Sequence, residues 1–280
     1  MPCPQSIDEL ADLALDVARR GGEMVLRHAA SARLPAAKET PGKGFDPVTE
    51  ADRKAEQAMR AAISEACPDH AIRGEEMADH EADSPWSWLL DPIDGTRSFL
   101  YGVPTWLTLV ALLREGEPVI GVAHQPLLGI TFIGTPAGAW RIGPEGRTPL
   151  KTRPAASLSE ALAGTTMPEL YRTPRERRAL AAMRAGCRML RHDADAYFYA
   201  ALAEGRIDIA FDTRLAPHDI AAMIPILRGA GASVTDWDGN PAPLGGQVLA
   251  AASEELLVQA LSRMAAGEDD GAKEGAKAAG

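Results

Sequence analysis

The sequence predicts an α/β protein in two halves. The first is an α+β half with two helices on a largely antiparallel sheet, and the second is an α/β half. Three observations predict this. Apolar residues recur at helical spacing near the start and again over 50–67. Short apolar runs separated by turn residues fill 86–142. Beyond residue 150, helical and extended stretches alternate. The halves are placed at 1–150 and 151–266. Residues 267–280 carry Gly, Ala and charge without periodicity and read as a disordered tail.

The elements follow in order. Ser6 with Glu9 three residues on reads as a capping box. Ile7, Leu10, Leu13, Ala14, Val17 and Ala18 then mark one face of a helix that can continue past Gly21-Gly22. Residues 34–48 hold Pro35, Pro41, Gly42, Gly44 and Pro47 and read as a mobile loop. Thr49 can cap a second helix over 50–67, stopped by Pro68-Asp69. Residues 86–90 form a strand that delivers Asp91 at its end. Strands over 107–114 and 119–125 pair around Glu115-Gly116-Glu117, and 129–133 and 138–142 continue the sheet. The second half reads as helix 174–185, strand 187–190, helix 194–203, strand 207–211, helix 219–229, strands near Val234 and Val248, and a last helix over 253–264.

Composition narrows the function. Of 280 residues 46% are hydrophobic, and 29 basic against 39 acidic side chains leave a net charge of −10. No basic patch is visible, so nucleic acid is not an expected partner. No apolar run approaches the ~20 residues that span a membrane, and the start lacks the basic and apolar regions of a signal peptide. A cytoplasmic location is expected. Cys3, Cys67 and Cys187 are far apart, form no zinc spacing, and read as reduced thiols.

Five carboxylates stand out: Asp46 as support, Asp52, Glu75, Asp91 and Asp94. The tightest run is Asp91-Pro92-Ile93-Asp94-Gly95-Thr96. Two aspartates three apart, followed by Gly-Thr, can hold a hard cation beside free backbone N–H groups, as suits a metal-bound phosphate. An all-oxygen donor set points to Mg²⁺, with Mn²⁺ also fitting. Each piece has a plainer reading: a surface turn, a solvated acidic pair at Glu75-Glu76, a capping box for Asp52.

Read together, the pieces resemble the inositol monophosphatase family, the lithium-sensitive, magnesium-dependent phosphatases. The resemblance rests on Asp46-Pro47-Val48-Thr49-Glu50-Ala51-Asp52, then Gly74-Glu75-Glu76, then the run from Asp91 to Thr96, then His218-Asp219-Ile220-Ala221-Ala222. It covers roughly residues 8–265 and implies an αβαβα sandwich, commonly a homodimer, with the site between the halves. It also implies that Glu75, Asp91 and the Ile93 carbonyl hold one metal and Asp91, Asp94 and Asp219 a second, with a third, weaker ion leaning on Glu75 through waters. Thr96, hydrogen-bonded to Asp52, would orient the attacking water. Gly95 and Thr96 backbone groups would hold phosphate oxygens. One ion would help make the nucleophile and the other stabilise the leaving oxygen.

Within the family the chain is most similar to the histidinol-phosphate phosphatase branch, through the stretches beginning at Asp94, Leu107 and Leu215, with Arg191 to Tyr197 also fitting. It departs from that branch at Asp193 and Ala194, where two glycines are usual, and at His218, where Trp or Tyr is usual. Histidinol phosphate carries an ammonium and an imidazole, so carboxylates such as Asp193 and Asp195 suit its pocket. The same two residues also suit a helix N-terminus. Arg191 and His218 complete the expected substrate contacts, although a structural role for His218 fits as well. Three functions follow: hydrolysis of L-histidinol phosphate; the same chemistry on inositol phosphate or another small sugar or nucleotide phosphate; or a non-catalytic binding module. The last is disfavoured because Asp52, Glu75, Asp91, Asp94, Thr96 and Asp219 are all present.

Overall fold

In the computed structural model, residues 6–29, 36–38, 46–48, 50–153, 157–241 and 244–277 are described, with side chains for those of them in 6–29 and 50–266. Helices α1 (Ile7–His28) and α2 (Glu50–Ala66) precede strands β3 (Ala71–Gly74) and β4 (Trp86–Asp94), which pair in parallel. The short helix α3 (Thr96–Tyr101) follows. Strands β5 (Leu107–Arg114), β6 (Glu117–Gln125), β7 (Ile130–Thr135), β8 (Gly138–Gly143) and β9 (Gly146–Pro149) then form an antiparallel meander, completing a seven-stranded sheet. The turn joining β5 to β6 is Glu115-Gly116, both at positive φ, as a two-residue hairpin of this twist requires.

The second sheet has the order β11-β10-β12-β14-β13. Its strands are β10 (Leu162–Thr165), β11 (Met189–His192), β12 (Ile209–Leu215), β13 (Ser233–Thr235) and β14 (Gly246–Ala251). The helices around it are α4 (Pro174–Gly186), α5 (Asp195–Ala203), α6 (Pro217–Ile220), α7 (Met223–Gly229) and α8 (Glu254–Lys277).

Side-chain alternation stacks these elements into five layers, α-β-α-β-α. Trp88 and Leu90 of β4 face the core under α1 and α2, whereas Leu89 faces the middle layer of α5 and α7. On β12, Ala210 joins the middle layer while Ile209 and Phe211 face α4 and α8. The middle layer needs a close approach. A Cβ on Gly121 would lie 1.9 Å from the Ala222 carbonyl oxygen, and one on Gly134 would lie 2.3 Å from Ile226 N. These two glycines let the segment after Asp219 rest on sheet backbone.

The structure differs from the sequence reading in several places. The loop over 34–48 contains an antiparallel pair, β1 (Ala36–Lys38) and β2 (Asp46–Val48). The rest of that loop and Thr49 lie outside the described residues. Strands β3, β9 and β10 are additions, since four-residue strands give too short a run to show alternation. The helix expected over 219–229 is two helices. Pro225 has no N–H to give to the carbonyl four residues back, which interrupts the ladder. Helix α8 runs on to Lys277, beyond the end expected near residue 264; its side chains past residue 266 are outside the described set. Cys67 is disulfide-bonded while Cys187 is free, which corrects the reading of all three cysteines as reduced; distance along the chain sets no bound on distance in space. No helix among the described residues is long and apolar enough to cross a membrane.

Candidate active site

Strand β4 is irregular where the chemistry begins. Asp91 pairs with Leu109 and Asp94 with Leu107, so three steps on β4 match two on β5. In a regular strand residues three apart point to opposite faces, but this bulge turns Asp91 and Asp94 the same way. Local hydrogen bonds hold it. Ile93 N–H donates to Asp91 Oδ1 at 3.0 Å, and the Thr108 hydroxyl donates to the Pro92 carbonyl at 2.9 Å. Gly95 then adopts φ +83, the left-handed conformation that ends the strand and starts α3.

Glu75 follows β3, its N–H bonded to the Leu90 carbonyl at 3.2 Å. The adjacent Glu76 N–H donates to Glu56 Oε2 at 2.7 Å, and Glu56 is buried against Arg60. Glu56 thus ties α2 to the turn that carries Glu75. Asp219 sits in α6. Its Oδ2 accepts the Ala216 N–H at 2.7 Å, and its Oδ1 lies 3.4 Å from His218 Nε2.

Oxygens of Asp91, Asp94 and Asp219 come within 4.8 Å of one another, and so do donor atoms of Glu75, Asp91 and His218. Asp52, Asp91 and Asp94 are 1%, 2% and 7% exposed. Burial pushes the Asp91 carboxyl well above the usual range, and Glu75, Asp94, Asp219 and Asp52 push it further. Asp94 is raised by burial, then by Asp195 and Asp219, against a lowering hydrogen bond from Ala196 N–H. Buried carboxylates that repel one another call for cations, and an oxygen-rich set of this kind fits divalent hard ions. Five of the predicted site carboxylates therefore converge: Asp52, Glu75, Asp91, Asp94 and Asp219. Asp46 lies in β2 with its side chain outside the described residues.

The cleft above this cluster is lined from both halves. Gly95, Thr96 and Arg97 form one wall; Asp195, Asp212 and Arg214 belong to the other. The Asp195 carboxylate stands 3.0 Å from where a Gly95 Cβ would be. The Thr96 hydroxyl donates to the Ile93 carbonyl at 3.1 Å. Arg191 and Asp193 are exposed and are not among the residues that line the cleft. Asp193 is instead a turn residue at φ +68 whose N–H donates to the Thr165 carbonyl. His218 also lies off the lining, with a ring nitrogen beside Glu75 and Asp91.

Sequence reading missed Asp212 and its neighbours. Asp212 is fully buried, and its Oδ1 accepts the Thr165 hydroxyl at 2.9 Å and Thr166 N–H at 2.6 Å. Its Oδ2 is buried, as are Tyr199 Oη and Thr166 Oγ1, which lie close enough to act on the Asp212 carboxyl, and all three residues line the cleft. A carboxylate inside the apolar run 209–211 and onward was the available signal.

The comparison with known proteins decides the family: residues 6–266 match the inositol monophosphatase family. The chain belongs to the inositol monophosphatase family. This is a family of metal-dependent phosphatases acting on small phosphate esters. The chain is 36% identical over 228 residues to a chloroplastic bifunctional phosphatase of Arabidopsis thaliana, covering 81% of this chain and 63% of that protein. It is 32% identical over 259 residues to a histidinol-phosphatase of Chlorobaculum parvum, covering 92% and 97%. Among solved inositol monophosphatase folds, that of an inositol monophosphatase from Zymomonas mobilis superposes with a TM-score of 0.79 at 32% identity, covering 93% and 99%.

Proposed function

We propose that this inositol monophosphatase family member is a Mg²⁺-dependent phosphomonoesterase that hydrolyses L-histidinol phosphate to L-histidinol and phosphate, a step of histidine biosynthesis. The observation that carries the substrate reading is the Asp195 carboxylate, which stands beside Gly95 on the second wall of the cleft, a wall that also holds Asp212 and Arg214. A leaving group that bears an ammonium and an imidazole is complemented by carboxylates there.

Glu75, Asp91, the Ile93 carbonyl, Asp94 and Asp219 would hold the cations. When bound, these supply a lowered water pKa and charge stabilisation on the phosphate and leaving oxygens. The chain's own residues do the rest. Gly95 and Thr96 backbone N–H groups position phosphate oxygens. Thr96 and Asp52 take up the proton of the attacking water. Asp195 orients the substrate's cationic end.

The second reading is inositol phosphate or another polyol phosphate. Thr166, Tyr199 and Thr213 also line the cleft and suit neutral hydroxyls, and the Zymomonas protein has the same 32% identity as the histidinol-phosphatase. Phosphate release from L-histidinol phosphate, inositol 1-phosphate, fructose 1,6-bisphosphate and adenosine 3′,5′-bisphosphate, with Mg²⁺ and with chelator, separates the two. A kcat/KM for histidinol phosphate at least about tenfold above the others, or about 1.4 kcal/mol at the transition state, supports the first reading. Preference for inositol 1-phosphate overturns it in favour of the second.

A further inference from the structure

His218 occupies a place the mechanism above does not use. Its side chain is 17% exposed, and Nε2 is buried with no hydrogen-bond partner among the described residues. Asp219 Oδ1, a potential ligand itself, lies 3.4 Å from this nitrogen, an ion-pair distance longer than an ordinary N–H···O hydrogen bond. A ring nitrogen of His218 also falls within 4.8 Å of carboxylate oxygens of both Glu75 and Asp91. An ion about 2.0–2.2 Å from each of three donors separates them by roughly 3–4.3 Å, so donors gathered within this bound can close on a shared ion with a small adjustment.

We propose that His218 is a nitrogen ligand in the cation site formed with Glu75 and Asp91, and that it biases this site toward Mn²⁺ and other first-row ions relative to Mg²⁺. The inference rests on the metal-dependent reading of the site and adds a ligand to it. The donor chemistry gives the bias. Mg²⁺ prefers an all-oxygen shell and sheds water reluctantly, whereas imidazole suits the transition ions. The orphaned nitrogen gives the structural reason. A buried imidazole nitrogen left without a partner is costly, and coordination supplies one. The side chain is placed by α6, where Pro217 at the first turn and Asp219 Oδ2 on Ala216 N–H hold the backbone on either side of it.

The test is pulsed EPR on the untagged full chain loaded with Mn²⁺, beside the binding affinities of Mn²⁺ and Mg²⁺. The wild-type protein is expected to show the ¹⁴N coupling of a directly bound imidazole, converted to the ¹⁵N pattern when the histidines are ¹⁵N-labelled. In His218→Gln the coupling is expected to disappear, and the ratio of Mn²⁺ to Mg²⁺ affinity to fall at least about tenfold, the lower end of what even outer-shell partners contribute. Tight Mn²⁺ binding with no nitrogen coupling in the wild type overturns the role of His218 and leaves the phosphatase reading standing. Coupling that persists in His218→Gln likewise overturns it. Failure of Mn²⁺ to bind at all overturns both. The wild-type spectrum decides the matter even if the variant folds poorly.

Discussion

Ala196 N–H donates to Asp94 Oδ2 at 2.9 Å across 102 residues of sequence. The donor belongs to the first turn of α5, where helical N–H groups have no intrahelical partner. One half of the protein thus supplies the backbone dipole that orients a carboxylate of the other half. The same helix start brings Asp195 beside Asp94, and of the charged neighbours Asp195 raises that carboxyl most.

Asp94→Asn keeps an acceptor for Ala196 N–H and removes one charge from the cluster. Turnover is expected to fall by at least about 10²-fold, the scale of losing one preorganised charge-stabilising group. The metal-free protein is expected to melt no lower than wild type, because a repelling buried charge is gone. Steady-state kinetics with thermal melting checks both. A variant with wild-type turnover contradicts the metal assignment.

Mg²⁺ is expected to raise the Tm of the wild-type chain and not that of Asp94→Asn. At a concentration about 100 times Kd the linkage is about 2.7 kcal/mol, worth roughly 5–10 °C in a protein of this size. Differential scanning calorimetry with Mg²⁺ and with chelator makes the measurement.

Asp212 gives a pH dependence of its own. Burial raises its carboxyl to about 7, against lowering hydrogen bonds from Thr166 and Thr165. A folded pKa above the unfolded one makes its stabilising contribution full below about pH 4 and lost as pH rises through about 7. Stability should therefore decline across that window, and Asp212→Asn should flatten the decline. Urea midpoints from pH 4 to 8 in chelator test this; an unchanged slope in the variant removes Asp212 as the cause.

Asp195→Ala is expected to raise KM for histidinol phosphate more than for inositol 1-phosphate, since only the former brings a cation to that wall. Equal effects on both esters would take Asp195 out of substrate choice.

Gly121→Val places methyl groups where the Ala222 carbonyl already lies. It should displace α6 and α7 from the sheet, costing about 1–3 kcal/mol or more and weakening the Asp219 end of the metal site. Thermal melting and Mg²⁺ titration together check it. Unchanged Mg²⁺ affinity in a folded variant would show that Asp219 does not depend on this contact.

The sequence by itself determined the capping box at Ser6, the strands flanking Glu115-Gly116, the two-half organisation of helices and sheets, and the acidic motifs holding Asp52, Glu75, Asp91, Asp94 and Asp219. These features rest on local periodicity, turn chemistry and motifs read within a few residues. Only the tertiary structure decided the rest. The bulge that aligns Asp91 with Asp94 depends on pairing with β5. The bond from Ala196 to Asp94, the docking of Ala222 on Gly121 and the entry of Asp212 into the cleft depend on how two sheets pack against a shared helical layer. Placing Asp193 outside the cleft and His218 against Glu75 and Asp91 depends on backbone direction at single residues. Such contacts join positions tens to a hundred residues apart, and no spacing rule along the chain encodes them.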